Sequence, residues 1–195
     1  MRQCQIWLEN IPGSMYSQSR KHDVPKKDRE DADDYDVRTW REHCTTNDKG
    51  QVCIPAMAIK QAVDSSAQKL GLKVAGRKGA TYKGFFASGF FCESDVPLSN
   101  GKPILKDKVE MIAISANSNG KRGAGSRVTR RFPMIPEWNG IVKITITDDI
   151  LTPEVFETHV RAAGIVVGIG RFRPELGGVN GRFRATKFEW ANFEI

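Results

Sequence analysis

Arginines set among glycines are the residues in this sequence whose types and spacing point most directly to chemistry. They are concentrated in residues 164–183, which read GIVVGIGRFRPELGGVNGRF. The guanidinium group is a planar fork of donors that matches phosphate oxygens, and glycine lets a backbone bend with positive φ and approach another chain closely. This combination predicts a glycine-rich loop that cradles a polyanion. The alternative is a long turn whose arginines are only solvated.

A second basic stretch covers residues 117–138 and reads NSNGKRGAGSRVTRRFPMIPEW. Between Lys121 and Arg131 it carries five cations and no acid. Because like charges packed this closely repel one another, the stretch costs stability unless an anion relieves the repulsion. We therefore predict a basic loop that binds phosphates. The predicted nucleic-acid-binding residues are Arg20, Lys121, Arg122, Arg127, Arg130, Arg131, Arg171, Phe172, Arg173 and Arg182.

Other kinds of site have less support in the sequence. The GxGRFRP segment lacks the GK[ST] of a P-loop, and it follows a helix-like run rather than the strand that opens a dinucleotide-binding fold. The four cysteines form no CxxC pair, and the three histidines are not at zinc-like spacing from them. We expect reduced structural cysteines and no metal, no cofactor and no catalytic residue.

The charge balance favours an anionic partner. The formal charge is +7, and residues 101–195 hold 15 Lys+Arg against 10 Asp+Glu. A basic surface of this kind suits nucleic acid, acidic lipid or an acidic protein. No apolar run approaches the ~18 residues of a membrane span, and the first residues lack the apolar core of a signal peptide. We therefore expect a cytoplasmic protein without membrane contact.

The elements that must position the arginines follow from hydrophobic patterning. Strands are predicted at residues 3–9, 104–117, 141–147 and 184–190. The second of these is apolar on both faces, which predicts a central strand. Helices are predicted from Pro55 to Gly71 and from Thr152 to about Gly168, and each begins with a proline in its first turn. The pairs Phe85–Phe86 and Phe90–Phe91 favour a core strand over base stacking.

In chain order these elements give βαββαβ, the ferredoxin-like unit that the RNA-recognition module also uses. We predict one α+β domain over residues 1–195, with a long insertion after the first strand and basic loops. The insertion, residues 14–49, holds eight Lys+Arg and nine Asp+Glu from Arg20 to Lys49. It is expected to be a partly mobile, solvated loop with a helical turn around Trp40. The alternative is an arm that touches a ligand or a neighbouring subunit, formed by Arg20, Lys21, Lys26 and Lys27.

The C-terminal pattern of small apolar residues, GxG and then GG resembles the glycine-rich loop of the RAMP superfamily. That superfamily includes CRISPR effector backbone subunits and CRISPR repeat-cleaving endoribonucleases. The segments GSRVTRRFPMIPEW, TPEVFETHVRAAGIVVGIGRFRPELGG and GRFRATKFEW also resemble a group of small phage-encoded proteins associated with this fold. The resemblance covers roughly residues 110–190, and it reaches the N-terminal half only by architecture, through IPAMAIKQAVDSSAQKL.

The resemblance implies a backbone-like protein that polymerises along single-stranded nucleic acid and holds phosphates with basic loops. The chain is shorter than a typical CRISPR backbone subunit and has no obvious large thumb, so a phage single-stranded DNA-binding protein fits its size better. We therefore expect a non-catalytic, largely sequence-independent protein in the host cytoplasm that forms a homo-oligomer or filament. CRISPR proteins and phage replication or recombination proteins are the further partners that the resemblance implies.

Two alternatives come from other classes. A CRISPR-type endoribonuclease needs a general base and a general acid near the scissile phosphate, and the candidates are His22 or His43 with Tyr16 or Lys21, all in the insertion. A regulator that mimics a CRISPR backbone subunit would bind protein through its basic patches. Absence of oligonucleotide affinity at low salt would favour the regulator.

Overall fold

The computed structural model describes residues 1–117 and 126–192 and shows antiparallel sheets packed with helices. The strands are β1 (Arg2–Asn10), β2 (Tyr16–Ser17), β3 (Cys53–Ile54), β4 (Phe90–Cys92), β5 (Val96–Pro97), β6 (Glu110–Asn117), β7 (Arg127–Ile135), β8 (Asn139–Ile146) and β9 (Phe183–Asn192). The helices are α1 (Ala32–Thr39), α2 (Ala56–Leu70), α3 (Lys83–Ser88) and α4 (Pro153–Ala162). The mixed α+β class expected from the sequence is confirmed.

The largest sheet has the strand order β4-β8-β1-β9, and every neighbouring pair in it is antiparallel. β1 lies inside this sheet, where Ile6 is opposite Val142 of β8 and Phe188 of β9. Alternate residues of β1 and β8 are buried on one face, because successive side chains of a strand point to opposite faces. The predicted first strand, the alternating strand at 141–147 and the final strand are confirmed.

Helices α2 and α4 pack on the buried face of this sheet and share its apolar core. Ile59 and Val63 of α2 and Phe156 of α4 are at most 1% exposed, and burial of each such side chain contributes about 1.5–3 kcal/mol. α2 begins directly after Pro55, and α4 is continued by a π-helix at Ala163–Val167, so that the helical run ends at Gly168 as predicted. Gly71 ends α2 with φ 59, and the Thr152 hydroxyl accepts a hydrogen bond from the Val155 N–H of α4 at 3.4 Å.

A second sheet has the strand order β2-β7-β6, so β6 lies at its edge among the described residues. The prediction of a central position for this strand is therefore wrong. β6 carries apolar residues on both faces, but it pairs with β7 alone, and Met111 remains 47% exposed. The predicted basic loop at 117–138 is also corrected, because from Arg127 onward it is strand β7. Lys121 and Arg122 lie outside the described residues.

The charged insertion has more structure than the solvated loop that the sequence suggested. It contains β2, helix α1 and a 3-10 turn at Trp40–His43, and Trp40 is 6% exposed, so the predicted helical turn around this residue is confirmed. Asp31 caps α1 by accepting hydrogen bonds from the N–H groups of Asp33 and Asp34, at 2.8 Å each. The burial of Trp40 and the pairing of β2 with β7 attach the insertion to the rest of the fold.

The phenylalanine pairs are divided between two elements rather than sharing one strand. Phe85 and Phe86 lie in α3, whereas Phe90 and Phe91 lie in β4. Phe86 and Phe90 are buried, which confirms the core role for one member of each pair, while Phe91 is 49% exposed. No helix among residues 1–117 and 126–192 is long and apolar enough to cross a membrane.

Candidate nucleic-acid interface

Arg171 is the predicted site residue whose surroundings most favour binding an anion. Its guanidinium carbon lies 3.7 Å from the centroid of the Phe132 ring and 5.0 Å from that of Phe172. Burial lowers the pKa of Arg171 from its usual value. Its Nε is buried and finds no hydrogen-bond partner in the described part of the chain, which also offers it no carboxylate. The described residues therefore hold this cation in place without neutralising it.

The fold brings Arg20, Arg171 and Arg173 to one cleft of about 440 Å³. Arg20 follows β2 in the insertion, whereas Arg171 and Arg173 belong to the glycine-rich loop. The beginning of α2 forms another wall with Pro55 and Ala58. Three of the ten predicted residues, from two distant parts of the sequence, are thus neighbours around one concave surface.

Glycines of the loop have the positive φ that the sequence suggested, and Gly170 also packs the loop on its own protein. Gly170 has φ 71, and a Cβ at this position would lie 2.3 Å from the Ser17 carbonyl oxygen of β2. The adjacent Arg171 N–H donates to that same oxygen at 2.8 Å. The absence of a side chain lets the loop pack on its own protein, and this packing fixes the backbone from which Arg171 projects.

The other predicted residues of the loop brace it from within. The Arg173 guanidinium pairs with Glu175 at 3.0 Å and donates to the Gly170 carbonyl oxygen at 3.2 Å. Arg182 donates to the carbonyl oxygens of Ile165 and Val179, at 3.2 and 2.8 Å. Phe172 is half-buried with φ 62 and meets the Phe132 ring edge to face at 6.3 Å. These contacts make Arg173 and Arg182 structural donors.

The arginines of β7 face acids of the insertion. Arg131 donates to Asp33 at 2.7 Å and to Asp36 at 3.3 Å, and its backbone N–H donates to Asp36 at 2.9 Å. Arg130 lies 3.9 Å from Asp36, and Arg127 donates to the Asn117 side chain at 3.2 Å. The repulsion expected within this stretch is thus relieved in part by α1, and the structure does not bring these three arginines into the Arg171 cleft.

Two features of the site were missed at the sequence level. Phe132 received no role, although its ring supports Arg171 and also lies 5.6 Å from that of His43. The sequence also does not distinguish Asp33 and Asp36 from the other charged residues of the insertion. The position of Phe132 directly after Arg130 and Arg131 is a sequence signal for its role. The pairing of Asp33 and Asp36 with the β7 arginines has no such signal, because it depends on how the insertion folds onto β7.

The two histidines of the insertion, His22 and His43, lie close to each other, and His43 lies next to Phe132. The ring centroids of His22 and His43 are 5.0 Å apart, and the His43 Nδ1 lies 2.8 Å from the Arg20 carbonyl oxygen. Burial, followed by the charge of His43, lowers the pKa of His22. Tyr16 is 1% exposed and its pKa is raised by burial, so its hydroxyl is removed from solvent.

The cysteines are structural in their surroundings. Cys4, Cys44 and Cys53 are buried free thiols and Cys92 is partly buried. Burial raises the pKa of the Cys4, Cys44 and Cys92 thiols to about 12, which disfavours the thiolate that metals and electrophiles require. Within residues 1–117 and 126–192, no group of three or more His, Cys, Asp or Glu side chains is placed to hold a metal ion.

Comparisons with known proteins place the fold. No family model and no curated protein matches the sequence. A chain of the Type III-B Cmr-beta bound to cognate target RNA, a cryo-EM structure, matches 97% of this chain with a TM-score of 0.53 and 14% identity, and the match spans 60% of that chain. Cmr6 from Pyrococcus furiosus matches 95% of this chain and 99% of its own, with a TM-score of 0.48 and 13% identity. The first likeness supports the RAMP-like fold that the sequence resemblance implies.

Proposed function

We propose that this protein binds single-stranded nucleic acid without catalysing a reaction. The observation that carries the proposal is the Arg171 guanidinium, which is stacked on Phe132, lacks an acidic partner among the described residues and lines a cleft with Arg20. A positive groove beside aromatic rings is the usual composition of sites that bind single strands without sequence preference. Phosphate contacts from such a groove position the strand and are insensitive to base sequence.

The core of the fold is assigned to the ferredoxin-like type as part of this proposal. Taken without the insertions, β1, α2, β4, β8, α4 and β9 follow one another as βαββαβ. In the sheet, the last of these strands lies next to the first, then the third and then the second. This arrangement supports a unit with helices on one face, and the arginine cleft lies where the glycine-rich loop meets the beginning of α2.

The strand that binds is proposed to be DNA, from the resemblance to small phage proteins, with RNA as the second ligand to be measured. RNA enters because the similar Type III-B Cmr-beta chain belongs to a structure with cognate target RNA. A phage origin, a place in the host cytoplasm and assembly into an oligomer along the strand complete the proposal, and these parts rest on the sequence resemblance.

Fluorescence anisotropy with labelled single-stranded DNA, single-stranded RNA and duplex DNA at two salt concentrations tests the proposal. We expect single strands to bind more tightly than duplex. Arg171→Ala should weaken binding by about 10- to 100-fold, because a charge-assisted hydrogen bond contributes about 1.5–3 kcal/mol. It should also reduce the salt slope by about 0.7, the contribution of one phosphate contact on a single strand.

Arg77→Ala is the matched control for this experiment. Arg77 is exposed and follows the far end of α2, whereas the cleft is lined by the first residues of that helix. The 15 residues of α2 separate the two ends by about 20 Å. If Arg77→Ala and Arg171→Ala lose the same affinity for single strands, the effect of Arg171 comes from the net charge of the protein and not from its position in the cleft. No binding at low salt would contradict the proposal and favour a regulator that binds protein.

A second candidate function is metal-independent RNA cleavage, which the proximity of His22 and His43 favours. Two histidines can act as general base and acid, and here His43 lies next to the Phe132 ring that supports Arg171. Lys21 is exposed and remains a candidate partner, whereas the buried Tyr16 does not. Incubation with labelled RNA in EDTA tests this function. Products that disappear in His22→Ala or His43→Ala would establish cleavage, and intact RNA with the wild type would exclude it under those conditions.

A further inference from the structure

The lining of the Arg171 cleft has two chemically different parts, which we call its cationic wall and its apolar wall. One wall is cationic and holds Arg20 and Arg171, for which the described residues supply no carboxylate partner. The other wall is apolar and holds Pro55, Ala58 and Leu176, and the Leu176 side chain is 55% exposed. A phosphodiester backbone alone needs only the first wall. The second wall fits a planar, mostly apolar group attached to the anion.

The size and the charge of the cleft narrow the ligand further. Its volume of about 440 Å³ lies within the range of about 300–1,000 Å³ that is usual for small-ligand pockets. Arg173 is neutralised by Glu175, so the cleft retains two positive charges, those of Arg20 and Arg171. A phosphate monoester carries close to two negative charges at neutral pH, whereas each phosphodiester of a strand carries one.

The polar groups of the cleft are arranged to bind phosphate more than to read a base. Gln18 supplies the amide side chain of the lining, and its Nε2 donates to the Tyr16 hydroxyl at 3.0 Å and to the Cys53 carbonyl oxygen at 2.6 Å. Its Oε1 accepts from the Thr45 N–H. This amide is therefore not available to distinguish base edges. The guanidinium of Arg171 is packed on Phe132, and its N–H groups form a planar fork of the kind that matches phosphate oxygens.

We propose that this cleft binds one nucleoside monophosphate group, with the phosphate monoester at Arg20 and Arg171 and the base against the apolar wall. The inference deepens the proposed function and rests on it, because it makes the cleft a site for the phosphorylated end of a strand. A free nucleotide presents the same chemistry. The two sources differ in whether a strand is attached, and this can be measured.

Isothermal titration calorimetry with adenosine 5′-monophosphate, adenosine and inorganic phosphate tests the pocket itself. We expect the monophosphate to bind at least about tenfold more tightly than either part, because only it uses both walls. Arg171→Ala and Leu176→Asp should each weaken this binding about tenfold or more. Leu72→Asp and Arg77→Ala, exposed positions beyond the far end of α2, are the matched controls and should bind like the wild type. Thermal unfolding of each variant verifies that it is folded.

Anisotropy with one labelled single-stranded oligonucleotide, prepared with a 5′-phosphate, with a 3′-phosphate or with hydroxyl ends, distinguishes the sources. Tighter binding of one phosphorylated form by at least about fivefold, lost in Arg171→Ala, assigns the pocket to that end of a strand. Monophosphate binding without an end effect assigns it to free nucleotides. If the monophosphate and inorganic phosphate bind equally, or if Leu176→Asp changes nothing, the pocket proposal is overturned. In that case, binding of oligonucleotides by the wild-type protein would still support the proposed function. If the wild-type protein binds adenosine 5′-monophosphate but no oligonucleotide, the proposed function is overturned and the pocket remains.

Discussion

Arg171 and Arg173 lie two residues apart in one loop, yet their surroundings lead to different roles. Arg173 has a carboxylate at 3.0 Å, so its charge is already compensated. Arg171 has an aromatic ring at 3.7 Å and an unsatisfied buried Nε. Burial of a cation is unfavourable when, as here among the described residues, no counter-ion is present, and a phosphate bound as proposed would lower that cost. Counting cations in the sequence treats the two residues alike, whereas the structure gives a carboxylate to Arg173 and none, among the described residues, to Arg171.

His159 shows what burial does to a titratable group away from the site. It is fully buried in α4, its Nδ1 lies 2.7 Å from the Val155 carbonyl oxygen, and its Nε2 has no partner among the described residues. The carbonyl accepts a hydrogen bond, so Nδ1 carries the proton of a neutral ring. Burial lowers the pKa of His159 below its usual 6.5.

The resulting prediction concerns stability in acid. The unfolded chain takes up a proton near pH 6.5 and the folded chain only at lower pH, so stability is lost as the pH falls through 6.5. The loss should reach at most about 1.4 kcal/mol per pH unit from this group. In urea unfolding at several pH values, the free energy of unfolding should fall less steeply below pH 6.5 for His159→Leu than for the wild type. Identical slopes would assign the acid sensitivity to other groups.

At the scale of elements, the glycine-rich loop is held by hydrogen bonds to β2 and to the residue before it, and by a bond within the loop itself. The Gly181 N–H donates to the Met15 carbonyl oxygen at 2.8 Å, and the Ile169 N–H donates to that of Gly181 at 2.9 Å. These bonds require close backbone approach, which explains the number of glycines without invoking a ligand. The loop is consequently a rigid support for the cleft.

Comparison of Gly170→Ala with Gly177→Ala tests this role of the loop. Both glycines have positive φ, 71 and 81, but a Cβ would meet the Ser17 oxygen at 2.3 Å only at position 170 and open space at position 177. Gly177→Ala should therefore cost about 1–2 kcal/mol, the strain of a left-handed residue. Gly170→Ala should cost more and should also weaken nucleic-acid binding. Equal destabilisation, measured by urea unfolding, would show that packing against β2 is unimportant.

Helix α1 and strand β7 form the second coupled pair of elements. Asp36 has a side chain that is 6% exposed, and it faces both the side chain and the N–H of Arg131. Removing the arginine leaves a buried carboxylate with fewer partners, which costs more than the pair itself contributes.

Arg131→Ala is expected to act on stability more than on binding. The free energy of unfolding should fall by about 1.5–3 kcal/mol, the usual contribution of hydrogen bonds to charged groups. Arg184→Ala, at an exposed position of strand β9, is the control and should change stability by less than about 0.5 kcal/mol. If Arg131→Ala instead leaves stability intact and weakens strand binding as much as Arg171→Ala, then β7 belongs to the binding surface.

The whole molecule shows which parts of a fold local sequence patterns determine. β8, α2 and α4 could be predicted, because each has a clear hydrophobic period or a capping signal within its own residues, and β1 could be predicted as a short apolar run closed by the Pro12–Gly13 turn. The edge position of β6 could not, since it depends on which strands arrive beside it. The cleft could not be predicted either, because Arg20 and Arg171 lie on separate elements and meet only when the loop packs on β2.

The proposed assembly along a strand is tested at the same scale. Size-exclusion chromatography with light scattering should give a complex whose mass rises stepwise as the oligonucleotide is lengthened, while the protein alone stays at lower mass. A filament of identical subunits adds one copy for each further binding site. A complex that stays at one protein per strand, whatever the strand length, would show that the protein binds without polymerising.

The inner position of β1 has a consequence for how the protein is made. β1 ends at Asn10, but its two neighbours begin at Asn139 and Phe183. At roughly 5–20 residues per second of translation, β1 waits on the order of ten seconds for its first partner. During that time both of its hydrogen-bonding edges are open, and such edges recruit other strands. Slowing translation after β1 should therefore lower the soluble yield, whereas slowing it after β9 should not.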